Sequence, residues 1–174
     1  MKLIVGLGNP GKKYQKTRHN LGKKIITEYI KEKHKDSLTL KKKLFAEIYE
    51  TGQGTDKKIF AIPDQYMNNS GLSVRQLINF YKIDLNDLYI IHDDLDLEVG
   101  EYKIQFNRGS AGHNGVKSII QELNSQEFNR FRIGINKANQ NIATEDYVLQ
   151  VFSKTESEKT EELLPKIFTE IDNI

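Results

Sequence analysis

Apolar and polar positions along the chain follow two alternating periods. Lys2–Gly6 is a short apolar run closed by Gly8-Asn9-Pro10-Gly11, the signature of a buried strand ended by turn residues. From Leu21 to about Lys33, the residues Leu21, Ile25, Ile26, Tyr29 and Ile30 recur at helical spacing on one face. Phe45–Glu50 and Lys57–Ile62 read as two strands around a Gly52-Gln53-Gly54 turn. Ser70 to about Tyr81 is helical, with Leu72, Val74, Leu77, Ile78 and Tyr81 apolar. Leu88–His92 is a dense apolar run suited to a central strand, and Tyr102–Phe106 alternates as another. Asn114–Leu123 reads as a helix, Phe131–Ile135 as a strand and the acidic Thr155–Ile171 as an amphipathic helix. Strands and helices interleave without a linker, repeat or low-complexity tract, which predicts an α/β domain with a mixed sheet.

Composition narrows the class. At 174 residues, 37% hydrophobic and 29% charged, the chain fills one core and leaves little for a second. No apolar run approaches the roughly 20 residues of a membrane span, and the N-terminus is too short and Gly-rich for a signal peptide. The expectation is a cytoplasmic protein without membrane attachment. The absence of cysteine removes disulfides, thiolate metal sites and cysteine nucleophiles. The net charge of +2 hides an asymmetry. Residues 1–43 hold 13 of the 26 Lys and Arg against 3 of the 24 Asp and Glu, and are therefore +10; the remainder is −8. Such a split fits either a polyanion partner or a solvated, Lys-rich face.

Five segments carry candidate chemistry. Gly6-Leu7-Gly8-Asn9-Pro10-Gly11 matches a dinucleotide fingerprint, but Lys12-Lys13-Tyr14-Gln15-Lys16 opens no apolar helix behind it and the acidic ribose partner is missing. Its one hydrogen-bonding side chain is Asn9. Thr17-Arg18-His19-Asn20 places an imidazole before a helix, where it is either structural or a proton acceptor from water. His92-Asp93-Asp94-Leu95-Asp96-Leu97-Glu98 fails as a Ca²⁺ loop, with Val99 at its sixth position and Gln105 at its twelfth. Acidic residues after a buried strand face the crevice at the sheet's carboxyl end, where one can hold an imidazole; the others serve as turn or capping groups. Tyr66-Met67-Asn68-Asn69-Ser70-Gly71 and Gly109-Ser110-Ala111-Gly112-His113-Asn114-Gly115 each lead into a helix. Ser70 and Asn114 are good N-cap types, and the amides also suit a peptide-like substrate or an oxyanion. No G-x-S-x-G elbow is present.

Taken together, these segments resemble the bacterial peptidyl-tRNA hydrolase family. The likeness runs in order through Val5–Gly11, Tyr14, Thr17–Asn20, Pro63, Tyr66–Asn68, Ser70-Gly71, His92-Asp93, Leu95–Leu97, Gly100, Gly112–Gly115 with Ser118–Ile120, and Arg132–Ile135. It implies one α/β domain over residues 1–174, with a mixed twisted β-sheet flanked by α-helices. It also implies a monomer without cofactor or metal that hydrolyses the ester between a peptide and the 3′-terminal ribose of tRNA. By the same resemblance His19 is the general base and Asp93 orients it and stabilises its protonated form. Asn9, Asn68 and Asn114 line the peptide and ester site, Tyr14 and Tyr66 line the crevice with Met67 beside them, and His113 has a supporting place.

The partner implied is peptidyl-tRNA, engaged at its acceptor end. Lys12, Lys13, Lys16 and Arg18 then become candidate phosphate contacts. Lys103 matches one position of the family's clamp on a tRNA phosphate, while its usual second basic residue is Gln105 here and Arg108 is a candidate substitute. Lys41-Lys42-Lys43 reads as a solvated loop. Ile62, Glu98 and Asn136-Lys137 depart from the family pattern and bear on substrate grip and loop shape. A non-catalytic RNA-binding module on the same fold is the competing expectation.

Overall fold

The computed structural model describes residues 1–136 and 142–174. Its strands are β1 (Lys2–Gly6), β2 (Thr39–Lys41), β3 (Ala46–Thr51), β4 (Lys58–Pro63), β5 (Leu88–Asp94), β6 (Tyr102–Phe106) and β7 (Asn129–Gly134). Its helices are α1 (Leu21–His34), α2 (Ser70–Tyr81), α3 (Asn114–Leu123), α4 (Thr144–Val148) and α5 (Lys154–Asp172). One seven-stranded sheet runs in the order β2-β3-β4-β1-β5-β7-β6. The central strands β4, β1, β5 and β7 are parallel, while β3 next to one edge and β6 at the other run against them and the edge strand β2 pairs antiparallel with β3.

Period-two alternation in the strands separates two cores. Ile4, Phe60, Ile91, Phe131 and Ile133 face α1 and α5, meeting Ile25, Ile26, Ile167 and Phe168. Leu3, Val5, Ile59, Ile90 and Leu88 face α2 and α3, meeting Val74, Leu77, Val116 and Ile119. Both faces of the parallel strands are covered, so they are apolar nearly throughout. Lys137 lies outside the described residues.

The strands and helices expected from the sequence are present, and three differences have physical reasons. β5 continues past His92 to Asp94, because backbone pairing with β7 persists while side-chain partners neutralise both carboxylates. β2 is an edge strand whose residues are all exposed, so it carries no alternation to read. α4 has only five residues, too few for a helical period.

The parallel strands end at one edge; the chain leaves β1 for the β2-β3-β4 side and then crosses from β4 past β1 to β5. Loops that follow β1, β4 and β5 therefore gather around one crevice at the carboxyl edge of the sheet.

Candidate active site

His19 reaches this crevice because α1 packs unusually close to the sheet. A Cβ at Gly22 would collide with the Ile91 carbonyl oxygen, so glycine lets the start of α1 lie against β5. His19 sits in the one-turn 3-10 segment Arg18–Asn20 that runs into α1, buried beside the end of β5. Its Nδ1–H donates to both oxygens of Asp93, each at 3.0 Å. Burial by itself would push the Asp93 carboxyl up, but the adjoining His19 and His113 imidazoles and their hydrogen bonds hold it well below the usual carboxylate range. An ionised Asp93 only accepts, which assigns the proton of His19 to Nδ1 and leaves Nε2 with a free lone pair.

Asp93 has a second imidazole partner. His113 Nε2 stands 3.0 Å from Asp93 Oδ1. His113 Nδ1 accepts from the backbone N–H groups of Gly115 and Val116 at 3.1 and 3.3 Å, which makes His113 the N-cap of α3. Those two donors fix its tautomer, and Nε2–H donates to the carboxylate. His92 completes the cluster: its Nδ1–H donates to the Asp93 carbonyl at 2.7 Å and its ring meets His113 edge-on at 4.8 Å. Burial, then the neighbouring His113, pushes the His92 pKa down to about 3, so this imidazole is neutral.

The expected capping roles of Ser70 and Asn114 are not those observed. The Ser70 hydroxyl donates to the Met67 carbonyl at 2.9 Å, and His113 caps α3 in place of Asn114. Asn114 is thereby left exposed at the helix start, lining the same cavity as His19, Asp93 and His113. That cavity holds about 420 Å³ and is bordered on its far side by Thr144, Glu145 and Val148 of α4.

Asn9 joins the site from the β1 turn. Its Oδ1 accepts from the Met67 N–H at 2.8 Å, which turns its amide NH₂ outward as a donor. Asn20 fixes the Asn9 backbone from both sides, accepting from Asn9 N–H and donating to Asn9 C=O, each at 2.9 Å. Met67 packs on Gly115, where a Cβ would strike Met67 Sδ, Leu7 and the His113 ring. Tyr14 and Tyr66 meet edge-to-face with centroids 6.4 Å apart, and Asn68 is exposed in the turn that follows Tyr66. Neither tyrosine, nor Asn9 or Asn68, borders the cavity that holds His19. The structure thus joins His19, Asp93 and Asn114 directly, and Asn9 through Met67.

One of the candidate phosphate contacts lies elsewhere than expected. Arg18 is buried, forms a fork with Glu156 at 2.8 and 3.0 Å and stacks on Tyr147 at 4.2 Å. It ties the His19 turn to α5 and is not placed to meet phosphate. Lys12 and Lys16 are exposed, and Lys13 lies over the Tyr14 ring. Arg132 is held by Asp94 at 2.7 Å, Asp96 at 3.4 Å and Gln105, and Arg108 is paired to Asp96 at 3.3 Å. Lys103 is the exposed cation beside them on β6. Arg130 is buried, with its guanidinium touching the Gly109 carbonyl at 3.0 Å.

Sequence reasoning gave His113 little weight and Asn20 none. Both lie inside quoted motifs, but their roles depend on contacts made across the fold. Donor atoms of His19, Asp93 and His113 lie within 4.8 Å of one another, a spacing compatible with a cation. Two imidazole N–H groups converging on one carboxylate account for it. No helix among the described residues is long and apolar enough to cross a membrane.

The family model described as Peptidyl-tRNA hydrolase matches residues 3–174. Peptidyl-tRNA hydrolase of Mycoplasma capricolum is 49% identical over 156 residues, covering 90% of this chain and 83% of the relative. That of Bacillus subtilis is 42% identical over 167 residues, covering 95% and 87%. The crystal structure of peptidyl-tRNA hydrolase from Acinetobacter baumannii superposes with a TM-score of 0.91 at 28% identity, covering 99% of this chain and 87% of that one.

Proposed function

The chain belongs to the peptidyl-tRNA hydrolase family, and from that premise we propose how its own residues carry out the hydrolysis. The substrate is peptidyl-tRNA and the bond cleaved is the ester between the peptide and the 3′-terminal ribose. The observation that carries the mechanism is the His19–Asp93 pair, with Nδ1 bound to a buried carboxylate at 3.0 Å and Nε2 free.

Water in the cavity gives a proton to His19 Nε2 as its oxygen attacks the ester carbonyl. The Asp93 carboxylate keeps the imidazole in the productive tautomer and stabilises the imidazolium. The tetrahedral intermediate then collapses, the bond from the carbonyl carbon to the ribose oxygen breaks, and the imidazolium proton passes to the departing hydroxyl. Free tRNA and a peptide with a new carboxyl group leave. A positioned base contributes on the order of 10²–10⁴ in rate, and an oxyanion donor about 10²–10³. Asn114, freed from capping by His113 and lining the cavity, supplies such a donor, while the outward NH₂ of Asn9 binds the substrate beyond that cavity. Asn68, Tyr14 and Tyr66, outside the cavity, are assigned to bind the peptide and terminal nucleotide beyond it.

The reaction as proposed needs no metal or cofactor, since a base, a water and amide donors balance it. We further assign the protein to the cytoplasm, acting as a monomer. The reaction itself is tested by following release of an N-acetylated amino acid from tRNA beside the unblocked aminoacyl-tRNA. Rapid cleavage of the blocked ester alone is expected; tRNA binding without cleavage would favour a non-catalytic RNA-binding module.

A further inference from the structure

The Lys41-Lys42-Lys43 run has no part in the mechanism, yet it belongs to a built surface. It forms the turn between β2 and β3, and all three side chains are exposed. No ion pair engages any of them among the described residues. Together with Leu40, Leu44 and Gln76, Asn79 and Phe80 of α2, they line a groove of about 640 Å³. Phe80 is 64% exposed and Leu40 43%.

The turn is held rigidly by its neighbour. Phe45 adopts a left-handed backbone with φ 51°, a costly conformation for a bulky aromatic residue. Its carbonyl accepts from the Asp64 N–H and from the Ser73 hydroxyl, each at 2.7 Å, and its N–H donates to the Lys42 carbonyl at 3.2 Å. Its ring is left partly exposed beside the lysines. Lysines at a sheet edge by themselves deter edge-to-edge pairing. Exposed Phe80, Leu40 and Phe45 work against that purpose, so edge protection does not account for the surface.

Its position relates it to the active site. Ala46 of β3 pairs with Pro63 at the carboxyl end of β4, so the lysine turn lies at the same end of the sheet as His19 and Asp93. Three inter-strand spacings separate β3 from β5, roughly 14 Å. On the other side of the site, Arg108 and Arg132 are already paired with Asp94 and Asp96, and Gln105 is uncharged. Lys103 is the unpaired cation there among the described residues, so the denser uncommitted positive charge, three adjacent lysines, lies on the β2–β3 side.

We propose that this groove is a second RNA contact, taking phosphodiester groups of the tRNA away from its 3′ end. The three ammonium groups would meet phosphates, and Leu40 and Phe80 would support the apolar face of a base or ribose. The charge complementarity of three unpaired cations beside exposed aromatic residues selects RNA over an uncharged peptide. The inference rests on the reading that the chain acts on peptidyl-tRNA.

The test uses the full chain, a Lys41→Gln/Lys42→Gln/Lys43→Gln variant and, separately, Phe80→Ser. Each is assayed with N-acetyl-aminoacyl-tRNA and with the same ester on a CCA trinucleotide, and by equilibrium binding of uncharged tRNA. For the triple variant, KM for the full tRNA should rise roughly tenfold with kcat unchanged. The slope of log K against log salt should lose about 2–3, the release expected from three phosphate contacts. Phe80→Ser should raise KM with the slope unchanged, and the trinucleotide ester should be cleaved as by wild type. Unchanged tRNA binding and salt slope would overturn the proposal, as would equal losses on both substrates or binding of polyglutamate in preference to tRNA. Were wild type to cleave neither ester, the reading of the activity would fail, and tRNA binding by the triple variant would still decide the groove.

Discussion

His113 donates from Nε2 to Asp93 Oδ1 at 3.0 Å, sharing the carboxylate that holds His19. Because its Nδ1 is committed to the first turn of α3, His113 supplies a fixed donor that orients Asp93 as well as capping the helix. His113→Ala should therefore lower kcat by roughly tenfold, well short of the 10²–10⁴ ascribed to the base. Loss of the cap should cost about 1 kcal/mol of stability. Steady-state kinetics beside urea unfolding checks both; an unchanged kcat with only the stability loss would confine His113 to the cap.

The buried cluster gives stability a defined pH dependence. His92 is neutral in the fold, with its pKa pushed down to about 3 by burial and then by His113, whereas the unfolded chain protonates it near 6.5. Between those values the unfolded state binds the extra proton, so stability rises with pH and is lost as pH falls below about 6.5. The depressed Asp93 carboxyl adds a further loss as the unfolded chain's carboxyl protonates, below about pH 4. From pH 6.5 to 5, the His92 contribution amounts to about 2 kcal/mol at most, at ~1.4 kcal/mol per proton and pH unit. His92→Asn keeps a donor for the Asp93 carbonyl and removes the titrating group. Its urea midpoint should vary less over that interval than that of wild type; parallel curves would reject the assignment.

Arg18 and Glu156 connect the His19 turn to α5. Glu156 also closes the capping box with Ser153, accepting from its N–H at 2.7 Å. Glu156→Ala should leave the buried Arg18 guanidinium without its carboxylate. Because Glu156 is partly exposed, the loss should fall near the lower end of the roughly 3–5 kcal/mol seen for broken buried pairs. Thermal unfolding measures it, and a loss below about 1 kcal/mol would show that stacking on Tyr147 and Phe152 suffices to hold Arg18.

Local periodicity made most of this fold legible. Leu21–Ile30 and Leu72–Tyr81 show the helical spacing that the packed faces of α1 and α2 require, and Leu88–Ile91 shows the apolar run of a central strand. His19 and Asp93, 74 positions apart, were paired by family resemblance, since no local pattern announces a contact across the sheet. Arg18 shows why charge alone misleads: Lys12, Lys13 and Lys16 shortly precede it, but its partner lies 138 positions away on α5. Asn114 suited an N-cap by residue type, and only the fold shows that His113 occupies that role. β2 and α4 escaped because one is wholly exposed and the other is too short to display a period.

The central claim is that His19 Nε2 takes the proton of the attacking water. Its most direct test is the single-turnover rate of N-acetyl-aminoacyl-tRNA hydrolysis by wild type and by His19→Ala, both shown to be folded and to bind tRNA equally. The account predicts that the variant retains tRNA binding and loses about 10²–10⁴ in rate. A variant that hydrolyses the ester at the wild-type rate would contradict it and remove His19 from the chemistry.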